Sequence, residues 1–169
     1  MSIKFEVKMT VSAMYNFMIH HTYTSISGIL GTVLGIVSLY LGAKDISEGY
    51  MQTGMAFLAI GILFVFINPI LLWNKSRKQV KLSPMFQKPI EYELTDSEII
   101  IRQDEEESAL PWEAVTKVVG TSQSLIIYFS RVRAFILPKK DIGDNYNKVV
   151  ELLFTKVGTK KVKLRTMTR

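Results

Sequence analysis

The chain has 169 residues, 48% of them hydrophobic and only 21% charged, and it contains no cysteine, which excludes disulfides, thiolate metal centres and cysteine nucleophiles. The formal charge of +6 is confined to residues 156–169, where Lys156, Lys160, Lys161, Lys163, Arg165 and Arg169 stand without an acid. Everything before them nets zero, so nucleic acid is not an expected partner.

Residues 3–10 alternate, with Ile3, Phe5, Val7 and Met9 set against Lys4, Glu6 and Lys8. That is the period of a half-buried strand. Val11, Met14, Tyr15 and Met18 then follow helical spacing, predicting an amphipathic turn or two at a membrane interface. Residues 1–21 are thus an N-terminal strand and interfacial helix. His20 and His21 close the segment; adjacent residues on a helix point about 100° apart and cannot chelate one metal.

Residues 22–43 and 50–74 carry no formal charge. At about 1.5 Å per residue each run is long enough for a hydrocarbon core, where helix is the only conformation that satisfies the backbone of an isolated span. Residues 22–74 therefore predict a transmembrane helical hairpin turned by the short polar segment 44–49. Lys44 is the one cation in that connector, whereas Lys4, Lys8, Lys75, Arg77, Lys78 and Lys81 flank the outer ends, which places both termini in the cytoplasm. Ser27, Gly31 and Gly35 recur every fourth residue and predict a helix-packing face, used against the second span or between two copies. Neither span holds an Asp, Glu, Lys or Arg, so an ion or proton path is not expected.

Residues 75–89 read as a basic linker. Beyond them Ile90, Tyr92 and Leu94 alternate with Glu91, Glu93 and Thr95, and Asp96-Ser97 supplies turn chemistry. Strands are expected at 98–103, 108–111, 115–119, 125–129 and 134–137, with the acidic run Asp104-Glu105-Glu106-Glu107 as a solvated turn. That run lacks the alternating ligands and central glycine of a calcium loop. Asp144 is the expected N-cap of a helix whose stripe is Tyr146, Val149, Val150, Leu153 and Val157, ended by Gly158. Residues 159–169 are left as a basic tail, with Lys160, Lys161, Lys163 and Arg165 as candidates for anionic lipid. Arg131 and Arg133 at one turn and Lys139 and Lys140 at another are candidates for a headgroup or partner patch.

The run Leu110-Pro111-Trp112-Glu113-Ala114-Val115-Thr116-Lys117-Val118-Val119, the segments Leu125-Ile126-Ile127-Tyr128-Phe129-Ser130 and Ala134-Phe135-Ile136-Leu137-Pro138-Lys139-Lys140, and the Tyr92-Glu93-Leu94-Thr95-Asp96 run resemble the YcxB-like family. The resemblance implies a bacterial two-span membrane protein. Its residues 90–158 would form a small antiparallel β domain, pleckstrin-homology-like and cytoplasmic, with a C-terminal helix. It implies no activity, and Trp112 and Pro138 match it as a buried anchor and a strand terminator. About six strands leave such a domain one short, so residues 3–10 are expected to complete its sheet, or else to lie on the leaflet or pair between copies.

The sequence thus points to a membrane protein carrying a binding module, with no catalytic residue, metal or cofactor expected and the lipid bilayer as its first partner. The alternative is an accessory subunit of a transport or secretion complex, which binds a membrane protein or a second copy through the hairpin.

Overall fold

A computed structural model describes residues 2–164 of the chain. They divide into two compact units: residues 2–17 with 79–164, and the intervening residues 18–78.

The first unit is a sandwich of two four-stranded sheets. One has the order β1 (Ile3–Val7), β2 (Ile90–Leu94), β3 (Glu98–Gln103) and β4 (Glu106–Pro111), antiparallel throughout. The alternation seen at the N-terminus is that of β1, whose Ile3, Phe5 and Val7 are buried while Lys4 and Glu6 are exposed. It pairs with β2 from Ile3↔Leu94 to Val7↔Ile90, so the whole of residues 18–78 is inserted between two neighbouring strands.

The second sheet runs β7 (Ala134–Pro138), β6 (Ser124–Tyr128), β5 (Lys117–Gly120) and β8 (Val162–Leu164). It departs from the expected antiparallel domain, because β8 joins β5 in parallel with Val118↔Val162 in register. The supposed tail therefore enters the sheet: Val162 is buried, and the Val118 N–H donates to the Lys161 carbonyl at 2.9 Å. The physical reason is the open edge of β5, which a short chain with one buried apolar residue closes. Arg165 lies outside the described residues.

Between the sheets, Phe5, Tyr92, Leu94, Val118, Ile127 and Leu137 share one core with Val149 and Leu153 of α6 (Tyr146–Val157). That helix starts from Asn145 without a side-chain cap, and Asp144 sits instead in a 3-10 turn. Gly158, at φ 85°, ends it, in the left-handed region that glycine enters at little cost. The outer face of the second sheet is covered as well. Ala13 and Met14 of α1 (Val11–Thr24) are buried, and Phe17 packs on Val119, Ile126 and Tyr128. Strand β6 is consequently buried at every residue, which is why its sequence shows no alternation.

The second unit is a helical pair. After the Ser25 cap, whose Oγ accepts the Gly28 N–H at 3.1 Å, α2 runs from Ile26 to Ser47. The partner is one continuous 32-residue helix, Met51–Leu82, made of α3 (Met51–Ile62), a π-helical turn Leu63–Ile67 and α4 (Asn68–Leu82). The π turn precedes Pro69, which has no N–H to donate and whose ring crowds the turn before it; widening that turn keeps the helix unbroken. Two expected boundaries move as a result. Residues 44–47 stay helical, with Lys44 and Glu48 paired at 3.6 Å, and the chain turns only at Gly49 with φ 95°. Residues 75–82 are helix and not linker, because no breaker occurs before Pro84.

Small residues line the contact between α2 and α3. Gly35, Ser38 and Gly42 are buried, and so are Gly54 and Gly61. A Cβ placed on Gly61 would lie 2.5 Å from the Leu39 side chain and 2.9 Å from the Gly35 carbonyl oxygen. The spacing Gly31, Gly35, Ser38, Gly42 is four–three–four, the seam of two helices wrapped with a left-handed twist. Ser27 is off this seam and exposed, a correction to the every-fourth-residue face.

Candidate functional site

The four cations proposed as one patch are held apart. Arg131 and Arg133 belong to the turn between β6 and β7, whereas Lys139 and Lys140 open α5 (Lys139–Ile142) at the far end of β7. Strand rise places Arg133 and Lys139 roughly 20 Å apart along the strand. Lys139 is engaged locally, its ammonium 5.4 Å from the centre of the Tyr146 ring. Close by, Asp141 accepts the Lys8 N–H at 3.2 Å and so ties α5 to the end of β1.

Different cations join the arginines. The register Lys117↔Tyr128↔Ala134 sets the start of β5 beside the β6–β7 turn, and the parallel pairing of β5 with β8 brings Lys160 and Lys161 to that same end. Four strands about 4.8 Å apart span roughly 14 Å. Lys117, Arg131, Arg133, Lys160 and Lys161 therefore edge one end of the second sheet. Lys161 donates from Nζ to the Val115 carbonyl at 3.1 Å, and the Lys117 ammonium sits 5.7 Å from the Tyr128 ring. Lys163 is exposed on β8, one residue after the buried Val162. Sequence reasoning missed Lys117 as a partner of the arginines, because only the strand register makes them neighbours.

The outer face of the first sheet carries an ion network. Arg102 contacts Glu93 at 2.6 Å, Glu107 at 2.5 Å and Glu91 at 3.5 Å, and Lys4 reaches Glu93 at 3.3 Å. Glu93 is the centre of it. Its carboxyl is held down at about 2, first by the Ser2 hydroxyl at 2.6 Å and then by Arg102. On the inner face, burial pushes the Tyr92 hydroxyl well above its ordinary value of 10.0.

The acidic run divides in two. Asp104 and Glu105 make a tight two-residue turn with Asp104 at φ 54°, while Glu106 and Glu107 already belong to β4. A cleft of ≈ 1070 Å³ opens beside this turn, walled by Met85, Ile90 and Ile101 together with the acidic residues and Lys88. Asp104 pairs with Lys88 at 2.6 Å, and Gln103 Nε2 donates to the Met85 carbonyl at 2.8 Å.

Residues 94–153, from the end of β2 into α6, match the family model described as YcxB-like protein. The segment is a YcxB-like domain. No curated protein and no solved structure matches the chain. The YcxB-like match begins after β1 and ends before β8, so in this structure the domain is completed at both sheet edges by strands beyond the matched segment. Trp112 lies within the match, 4% exposed, with Nε1 donating to the Thr95 carbonyl at 3.1 Å. It pins the corner where the chain crosses from β4 to β5.

Proposed function

We propose that this chain is an integral membrane protein in which α2 and the α3–α4 helix cross the bilayer. They hold a pleckstrin-homology-like, non-enzymatic binding module against the cytoplasmic leaflet. The observation that carries this reading is the inverted packing of the helical pair. Its fully buried residues are glycine and serine, with Leu39, Leu58 and Phe64 reaching into the seam, and many of its large apolar side chains face outward: Ile26, Leu30, Val33 and Ile36 on α2, Met55, Leu63 and Phe66 on the partner. A core helix of a water-soluble protein buries its large residues; a pair that fully buries only its smallest suits an apolar solvent.

The insertion supports an even number of crossings. β1 precedes the helical pair and β2 follows it, yet the two strands are hydrogen-bonded neighbours, so both ends of the inserted segment start from one side. The flanking cations favour the cytoplasmic side. A four-stranded antiparallel sheet facing a second sheet that is antiparallel except at the added strand β8, with α6 in the shared core, supports the pleckstrin-homology-like reading. Trp112 on the Thr95 carbonyl and Thr121 on Asn16 Oδ1 at 2.7 Å are polar contacts that hold the domain together. An accessory subunit acting through a small-residue face has less support, since the glycine seam is occupied by the chain's own second helix.

Reporter fusions test the reading. A reporter active only in the cytoplasm should work after Arg169 and fail when placed within residues 44–49. A C-terminus on the outer side would overturn it.

A further inference from the structure

Resting on the reading of the two long helices as membrane spans, we propose that the β6–β7 turn is a lipid-docking tip. Val132 enters the interface of the anionic leaflet, and Arg131 and Arg133, with Lys117 and Lys160 beside them, meet the headgroup phosphates.

Val132 is 69% exposed at the point of the turn, with an exposed arginine on either side. The turn is a formed loop and does not need the membrane to shape it. Ser130 Oγ accepts the N–H groups of Val132 at 3.3 Å and Arg133 at 3.0 Å, while Phe129 and Ser130 donate theirs to the Arg133 carbonyl. An apolar residue held outward between two guanidinium groups has the amphipathic order of an interface: apolar body inward, charge at the phosphate level.

The charge around the tip has one sign in excess. Lys117 and Lys160 share that end of the sheet, with Lys161 partly engaged on the Val115 carbonyl. The acids at that end are Glu113, in the turn that leads into β5, with Glu98 and Asp96 on the first sheet, and Asp96 is paired with Lys156 at 3.2 Å. An anionic lipid surface complements this arrangement, and each cation brought near it favours docking roughly five-fold.

The absence of cysteine makes the test clean. Val132→Cys, or Ser122→Cys in the turn at the opposite end, gives a single attachment point for an environment-sensitive fluorophore on the full chain in nanodiscs. With phosphatidylserine in the disc, the label at 132 should shift to shorter wavelength and be quenched by lipid-borne quenchers, and high salt should reverse both. The label at 122 should stay wet. Replacing Arg131, Arg133 and Lys160 by Ala should lower the docked-to-undocked ratio by about a hundred-fold; all three are exposed, so the fold is kept. A label at 132 that stays accessible to a water-soluble quencher in every lipid would overturn the proposal, as would equal quenching in phosphatidylcholine alone. Shielding in lipid-free detergent that grows with protein concentration would assign the tip to contact between copies and overturn it too. Failure of the chain to enter nanodiscs is a separate outcome: it would sink the spanning reading itself.

Discussion

The rings of Phe5 and Tyr92 stack across the β1–β2 pair, 5.9 Å between centroids and 16° from parallel, although every residue of the helical pair lies between them in the chain. Tyr92 meets Phe135 of the second sheet on its other side at 5.7 Å. The stack therefore joins the N-terminal strand to both layers of the sandwich.

Phe5→Ala should destabilise the domain by about 3–5 kcal/mol, the usual cost of emptying a buried aromatic site. Protease protection of residues 90–164 in native membranes would register the loss. Phe5→Asp should abolish protection altogether while the helical pair still inserts. Retained protection in Phe5→Asp would show that the domain stands without β1.

In the helical pair, Gly61→Leu should push α3 away from Leu39 and Gly35, whereas Ile62→Leu, on the outward face, should be silent. The sodium dodecyl sulfate fraction at half-unfolding, measured in mixed micelles, should fall for the first and hold for the second. Equal midpoints would mean that the seam is not the contact.

Glu93 sets an acid limit. Its carboxyl is depressed from 4.5 to about 2 in the folded chain. Its contribution is then fully present above the unfolded value and lost as pH falls from there toward 2. Glu93→Gln should be less stable than the parent at neutral pH and should lose less between pH 4.5 and 2. Urea midpoints across that range would decide it; parallel curves would contradict the assignment.

At the other edge, Val162→Asp should strip β8 from β5 and lower the urea midpoint of the domain, because it forces a carboxylate into a buried site. Lys163→Asp, one residue on and facing solvent, should change stability by less than about 0.5 kcal/mol. Reversal of that order would place β8 in another register.

How much of this could be read in advance depended on how many faces each segment buries. β1 and β2 bury one face, keep their alternation and were legible. β6 buries two and shows only an apolar run. β8 is three residues long with one buried position, too short for a period to stand out against four lysines. The glycines of α2 were visible, yet their three–four spacing is given meaning only by the partner helix. The cations at the β6–β7 end come from three separate places in the chain, and only the parallel β5–β8 pair makes them neighbours.

The position of β1 also fixes an order of events during synthesis. Its partner is translated only after the whole helical pair, so the N-terminal strand must wait with Ile3, Phe5 and Val7 uncovered until Ile90–Leu94 emerges. With the long helices as membrane spans, that wait ends well only if the chain has crossed and come back. A segment that crosses once leaves the two strands on opposite sides, and a sheet cannot close through a bilayer. On the proposed membrane reading, the finished domain is then a record of correct insertion.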